Sequence, residues 1–371
     1  MTKPTKILQI GNYPPPMCGW AIQLKLVTEE LRARGHICEV LKINEERQTK
    51  SPEYIDVQDG FDYVKKVWRY ALRGYRLNVH VNGMSKKGYW LAMIAGVIGR
   101  LVLRPALVTF HGGLSQDYFP RTRQSMARWG FQTLFLLAGS IACDSAPIKE
   151  AIVQYGVAPA KIAAIATFSP QYLKFSPAKL PEEIENFLAE RQRVILSYVS
   201  FRPEYRLETL RAGMKLYGER YPQAGFIWLG FPDKELPAAQ RYILDWTGDE
   251  KRSVLLLGNL THDQFLTLLS RCFICLRTPA CDGVAASVLE SIALGVPVVA
   301  SENGRRPQGV VPYIDGDASD MCEKLLAVTE SYNEVKAGLA LDLHDDNVGV
   351  MADWLSGQQS ANAENEVLAL R

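Results

Sequence analysis

The chain has 371 residues, 47% hydrophobic and 22% charged, which exceeds one ordinary core and sets an expectation of two domains in a globular protein. Seven cysteines, an odd number scattered through apolar runs, argue for reduced core thiols in a cytoplasmic setting and against a disulfide framework. The formal net charge of +2 is unevenly spread: residues 1–170 hold 22 Lys and Arg against 12 Asp and Glu, and the remainder 20 against 28.

The chain opens without a signal-peptide pattern and enters a strand over 7–10. A loop over 12–19 follows, then an amphipathic helix over 20–34 with Ile22, Leu24, Leu26, Val27 and Leu31 apolar and Gly35 as its stop. A strand is expected over 37–41. Residues 61–77 can be drawn as a helix with Val64, Val67, Trp68, Ala71, Leu72 and Tyr75 apolar and Lys65, Lys66, Arg69, Arg73 and Arg76 among them. Strand and helix then alternate: 78–81 with 89–103, 106–110 with 121–137, and 141–143 with 146–155. Residues 89–99 form the longest apolar run, too short to span a bilayer.

Ser-Pro pairs at 169–170 and 176–177 break the rhythm, so 171–192 reads as a linker after a first domain of 1–170. A second domain of 193–335 restarts with a strand over 194–199. It continues with a helix over 207–220, a strand over 226–229 and a helix over 236–247. A strand over 254–257, a helix over 261–270 and a strand over 273–276 follow. Residues 336–371 form a terminal region, with a helix over 348–354 and a polar tail from 358. Strands alternating with helices predict parallel sheets with right-handed crossovers. The class is therefore α/β, two doubly wound Rossmann-like domains with ligands at the carboxyl ends of the strands.

Residues 282–301 carry the most information. Asp282 and a small-residue turn lead into a short helix bearing Glu290. A Gly295-x-Pro297 turn and a buried strand from Val298 follow. Free N–H groups of Ala285, Ala286 and Ser287 at a helix start suit phosphate, and a carboxylate such as Glu290 can accept hydrogen bonds from sugar hydroxyls. Arg202 and Arg206, in the loop after the first strand of the second domain, are candidates for a diphosphate because arginine offers paired donors. His111 directly follows the strand over 106–110, at a carboxyl end that faces a crevice. Gly11 and Gly19 flank the loop after the first strand, where a bare backbone lets a diphosphate approach. Cys272 and Cys275 make a C-x-x-C inside a strand-like run, without the second pair that a metal site needs. No Gly-x-Gly-x-x-Gly opens either half, which speaks against a nicotinamide enzyme.

The 282–301 stretch resembles the acid-x7-Glu signature of glycosyltransferase family 4, retaining enzymes of the GT-B fold. Gly283, Glu290, Ala293, Gly295, Pro297, Val298, Val299, Ala300 and Ser301 match the family pattern, while Asp282 and Ala285 depart from it. The resemblance implies two such domains facing across a cleft, with the terminal helix returning to the first. It further implies His111 and Asp282 at the reacting sugar, Glu290 at the ribose, and Gly19, Arg202, Arg206, Ala285, Ala286 and Ser287 at the diphosphate. The substrate is then a nucleotide-diphosphate sugar, and the acceptor a hydroxyl of a glycan or a polyprenyl- or lipid-linked compound. The donor phosphate takes the acceptor proton on the same face of the sugar. No Asp-x-Asp lies in a suitable loop, so neither a catalytic metal nor a further cofactor is expected. The basic stretch from Lys65 to Arg128, interleaved with aromatics, suits an anionic membrane surface on the inner leaflet, and nucleic acid fits less well. Two other readings are a sugar-nucleotide epimerase and a non-catalytic nucleotide-sugar-binding subunit.

Overall fold

The computed structural model describes residues 4–15, 18–114, 116–121, 125–231, 235–281, 285–339 and 345–358. It divides into two compact units, Met1–Gln171 with His344–Arg371, and Tyr172–Leu343.

The first unit contains β1 (Lys6–Gly11), α1 (Gly19–Ala33), β2 (Ile37–Lys42), α2 (Gly60–Leu72), β3 (Arg76–Asn82), α3 (Lys86–Leu101), β4 (Leu107–His111), α4 (Met126–Leu137), β5 (Ile141–Cys143), α5 (Ala146–Val153) and β6 (Ile162–Ala164). The strands form one parallel sheet in the order β2-β1-β3-β4-β5-β6. Period-two alternation sends Leu8 and Ile10 to one face, packed with Tyr63, Val67, Ala95, Phe131 and Phe135, and Ile7 to the other, with Val27 and Leu31. Helix α1 stops where Gly35 takes a positive φ and the His36 N–H bonds back to the Leu31 carbonyl.

The second unit contains α6 (Glu182–Glu190), β7 (Arg193–Tyr198), α7 (Leu207–Arg220), β8 (Ala224–Leu229), α8 (Leu236–Tyr242), α9 (Gly248–Ser253), β9 (Val254–Leu257), α10 (His262–Arg271), β10 (Ile274–Arg277), α11 (Ala286–Ala293), β11 (Val298–Ser301), β12 (Val310–Tyr313), α12 (Ala318–Glu330) and α13 (Tyr332–Ala337). Its parallel sheet runs β12-β11-β10-β7-β8-β9. One face is covered from α7 and α12 and the other from α6, α10 and α11. A last helix, α14 (Asn347–Ser356), belongs to the first unit and packs on α1, burying Val348, Met351 and Leu355 beside Val27 and Leu31.

Each sheet has one place where the chain reverses its direction of winding. It lies between β1 and β3 in the first unit and between β7 and β10 in the second. Ligands of doubly wound sheets bind outside the carboxyl ends of the strands at that point.

Several boundaries differ from the sequence reading. The segment assigned to a linker, 171–192, holds α6, whose Ile184 and Phe187 are core residues of the second unit. Helix α13 runs across the expected 335–336 boundary, and the second unit extends to Leu343. The expected helix over 61–77 ends at Leu72, because β3 begins at Arg76. That over 236–247 breaks after Tyr242, and a separate helix, α9, begins at Gly248 with a Thr247–Glu250 capping box. Strands β6 and β12 were not expected.

Candidate functional site

In the second unit the winding reverses between the neighbouring strands β7 and β10. Arg277, the last residue of β10, is 8% exposed. Its Nη1 donates to the Tyr198 carbonyl, at the end of β7, over 3.3 Å, and its guanidinium lies 5.4 Å from the centre of the Tyr205 ring. Thr278 Oγ1 donates to the Tyr205 carbonyl over 2.7 Å, so β10 pins the loop after β7 at both ends.

That loop carries the two arginines singled out from the sequence. Arg202 is exposed. Arg206 has a left-handed backbone (φ 48°) and sets both sides of its fork against Asp315, at 2.9 and 3.4 Å. Its charge is already met within the protein. Arg306 donates to the carbonyls of Ser301 and Pro279, each over 2.7 Å, and so ties the end of β11 to the segment after β10. The Tyr313 hydroxyl is buried with no hydrogen-bond partner among the described residues, and burial pushes its pKa up against the pull of Arg306, Arg206 and Arg277.

Helix α11 begins after Ala285, an extended residue whose side chain makes no cap. Its first turn, with Ala286 and Ser287, presents the N–H groups that a helix cannot satisfy internally. Glu290, further along α11, is 2% exposed and lies 3.1 Å from Nε2 of His262, the first residue of α10. Burial raises its carboxyl pKa, and the His262 hydrogen bond and charge oppose that rise. Glu290 thus has a protein partner that the sequence reading did not foresee. Asp282 lies outside the described residues.

In the first unit His111 ends β4 but does not stand open to a crevice, as its position suggested. Its ring is fully buried. Trp20 stacks on one face at 4.5 Å between ring centres, and His80 of β3 lies near-parallel at 5.1 Å. His80 Nδ1 and His111 Nε2 are 2.8 Å apart. His111 Nδ1 lies 3.5 Å from Asp144 Oδ1, beyond a good hydrogen bond. Asp144 itself accepts from the Gly112 N–H at 3.0 Å and the Thr167 hydroxyl at 2.8 Å. A carboxylate on that side favours the proton on His111 Nδ1. His80 Nε2 in turn lies 3.1 Å from Asn78 Nδ2 and 3.1 Å from Gln9 Oε1, so the two rings and these amides form one buried polar chain. Burial holds the His80 ring well below the ordinary imidazole pKa, and the neighbouring His111 pushes the same way.

Two glycines make this packing feasible. A Cβ on Gly11 would come within 3.0 Å of the His80 ring, and Gly112 (φ +113°) would drive a Cβ into the Gln116 amide. The loop after β1 is held from β2 and the residue pair beyond it. Lys42 Nζ donates to the Pro15 carbonyl at 2.5 Å beneath the Tyr54 ring, and Asn44 bonds the Tyr13 backbone in both directions. Gly19 is the first residue of α1 and immediately precedes Trp20, so the glycine loop and His111 meet through that indole.

The structure thus brings Gly19 and His111 together in the first unit. It places Arg202, Arg206, Ala285, Ala286, Ser287 and Glu290 at or beside the elements of one sheet in the second. Arg277, His262, Trp20, His80 and Asp144 were missed. Among the described residues, no three His, Cys, Asp or Glu side chains converge as a metal site.

The two Rossmann-like units, each a six-stranded parallel sheet with helices on both faces, define a GT-B fold. The chain is similar in structure to Anabaena HepE in complex with UDP-glucose (TM-score 0.65, 15% identity, 98% of this chain and 99% of that one). It is also similar to sucrose-phosphate synthase of Thermosynechococcus elongatus (0.64, 16%, 99% and 100%) and to a UDP-N-acetylglucosamine 2-epimerase (0.61, 12%, 94% and 94%). At such identities the likeness is one of fold. No protein-family model matches the chain, and no curated protein matches it in sequence.

Proposed function

We propose that the chain is a retaining glycosyltransferase that uses a nucleotide-diphosphate sugar, of the kind seen in glycosyltransferase family 4. The observation that carries this reading is the carboxyl edge of the second sheet, where an uncapped helix start, a buried carboxylate and arginines share one unit. Glu290 accepts from the nucleotide ribose, and the first turn of α11 receives phosphate oxygens. Arginine charge and backbone dipoles stabilise the leaving diphosphate, without a metal. The bond from the anomeric carbon to phosphate breaks, the acceptor oxygen bonds that carbon on the same face, and the acceptor proton passes to the departing phosphate. Asp282 and His111 serve the sugar. His111 does so from beneath Trp20, so its reach toward a ligand depends on that indole.

The acceptor is a glycan or lipid-linked hydroxyl, and the first unit supports a membrane-surface location. Buried Tyr63, Val67 and Ala71 hold α2 to the core, which turns Phe61 (80% exposed), Val64, Trp68 and Leu72 outward beside Lys65, Arg69 and Arg73. Neighbouring α3 adds exposed Trp90, Val97 and Leu101, and α4 adds Met126, Trp129 and Leu136. Apolar and basic groups together suit an anionic bilayer. No helix among the described residues is long and apolar enough to cross a membrane.

The test is a panel of UDP, GDP, ADP and CMP sugars. One nucleotide at one hundred times its dissociation constant stabilises the protein by about 2.7 kcal/mol. Donor turnover that requires an added acceptor supports transfer. Turnover without any acceptor gives an epimerase instead, a reading the epimerase neighbour keeps open. Binding with no turnover of any donor, under a range of acceptors, leaves a nucleotide-sugar-binding subunit. No stabilisation by any nucleotide overturns all three.

A further inference from the structure

The amino edge of the first sheet carries a basic groove that the proposed transfer chemistry does not use. We infer that, independently of the nucleotide-sugar reading, this groove is a binding site for phosphate groups. The strands β1, β3, β4 and β5 are neighbours in a parallel sheet, so all four begin along one edge. Lys6 opens β1, Arg76 opens β3, Arg104 lies three residues before β4, and Ser140 directly precedes β5. Arg73, which closes α2, joins them. Together they line an open groove of about 740 Å³. Leu107 also lines it, and His111 ends the same strand, roughly 13 Å further on at ~3.3 Å per residue. The groove is therefore separate from the carboxyl edge, where ligands of doubly wound sheets bind.

Charge selects the ligand. Four of the lining residues are cationic and none is acidic. Among the described residues, none of the four cations makes an ion pair. Glu39, on the neighbouring strand β2, is set against Arg32 at 4.0 Å. Arg76 is half-buried, and burial lowers its pKa with no acid opposing the fall. Its Nη1 donates to the Leu355 carbonyl at 2.9 Å, which fixes the guanidinium at the groove. Arg104 lies against the backbone of Gly74, where a Cβ would come within 2.7 Å of its Nη1. Like charges gathered without counter-ions repel one another, and a phosphate among them relieves that repulsion. Guanidinium forks match phosphate oxygens in pairs, Lys6 adds a point charge, and Ser140 offers a hydroxyl. Arg73 also borders the exposed apolar face of α2, with Phe61, Val64, Trp68 and Leu72. The same phosphate chemistry therefore has two sources, a lipid headgroup and a soluble phosphoester.

The experiment follows hydrogen exchange of the full-length protein by peptide mass, with inorganic pyrophosphate as the soluble probe. Peptides read this edge apart from the second unit, where pyrophosphate also meets the proposed donor site. Protection is expected over residues 73–77, 104–108 and 139–141. Lys6→Gln and Arg104→Gln each raise the pyrophosphate concentration needed for protection by about tenfold, the scale of a lost charge-assisted hydrogen bond. Lys50, exposed in the loop after β2, serves as the control: Lys50→Gln changes the net charge equally and keeps the wild-type protection. A second arm floats the same proteins at low salt on phosphatidylcholine vesicles containing phosphatidic acid. Flotation that falls in Arg104→Gln but not in Lys50→Gln assigns the phosphate to a lipid. Equal flotation, with protection lost in the groove variants, assigns it to a soluble compound. No protection at this edge together with equal flotation overturns the inference. So does protection that the groove variants keep, or that Lys50→Gln weakens as much. If Arg104→Gln does not fold, Lys6→Gln and Arg73→Gln decide.

Discussion

Lowering the pH tests the buried histidine pair. His80 is packed between β1 and β4, facing His111, Asn78 and Gln9, with Asp144 beyond His111. Its native ring stays neutral well below the ordinary imidazole value of 6.5. In the unfolded chain the same ring takes up a proton as the pH falls past that value. The unfolded state then binds more protons than the native one, so stability rises with pH through this window and is lost on acidification. For a single group the loss is at most about 1.4 kcal/mol per pH unit below 6.5, which bounds the drop from pH 7.5 to 5.5 at about 1.4 kcal/mol. His80→Asn keeps a side-chain N–H donor but does not titrate. The variant is less stable at pH 7.5 but loses less between pH 7.5 and 5.5. Hydrogen exchange of the β3 and β4 amides reads the first unit by itself, which matters because two units need not unfold in one step. A His80 proton resonance that titrates near 6.5 in the native protein, or identical pH slopes for both proteins, refutes the reasoning.

Trp20→Ala opens the face of His111, so diethyl pyrocarbonate modifies that ring faster in the variant than in the wild type, as read by peptide mass. Unchanged protection means that other groups shield the ring. His262→Ala removes the side-chain partner of buried Glu290 and costs about 1–3 kcal/mol in urea unfolding. Because burial raises the Glu290 carboxyl, the native state holds its proton to higher pH, and stability falls as pH rises through that range. Glu290→Gln abolishes this fall, which a pH series of unfolding curves checks. Flotation with phosphatidylglycerol vesicles at low salt carries the protein upward, and neutral vesicles carry less. Phe61→Ser and Trp68→Ser each weaken the association by roughly tenfold or more. Equal flotation of wild type and variants refutes the α2 face as the docking surface.

Much of the scaffold could be read from periodicity. Strands such as Lys6–Gly11 and Val298–Ser301, and the helix closed by Gly35, announce themselves because their signals are local. Strand Ile162–Ala164 has only three residues, strand Val310–Tyr313 is mostly unburied and carries Pro312, and the Ser-Pro pairs disguised a core helix as a linker. The face of α2 was ambiguous because Trp68 and Leu72 have the composition of core residues. Only the sheet beneath selects Tyr63, Val67 and Ala71 for burial. At the candidate site, Glu290 and His111 stood out through their neighbours in sequence. Their partners did not, since His262 is 28 residues from Glu290 and His80 is 31 from His111. Arg277 falls one residue past the strand expected over 273–276, and only the strand order places it at the winding reversal.

The placement of α14 has a bearing on biosynthesis. Val27 and Leu31 meet Val348, Met351 and Leu355, side chains translated more than three hundred residues later. At ribosomal speeds of ~5–20 residues per second, that apolar stripe waits roughly 15–60 s for its cover. The amino-terminal unit therefore completes itself last, after the intervening unit has left the ribosome. A stop codon ahead of Asn347 would injure the end of the protein that was made first.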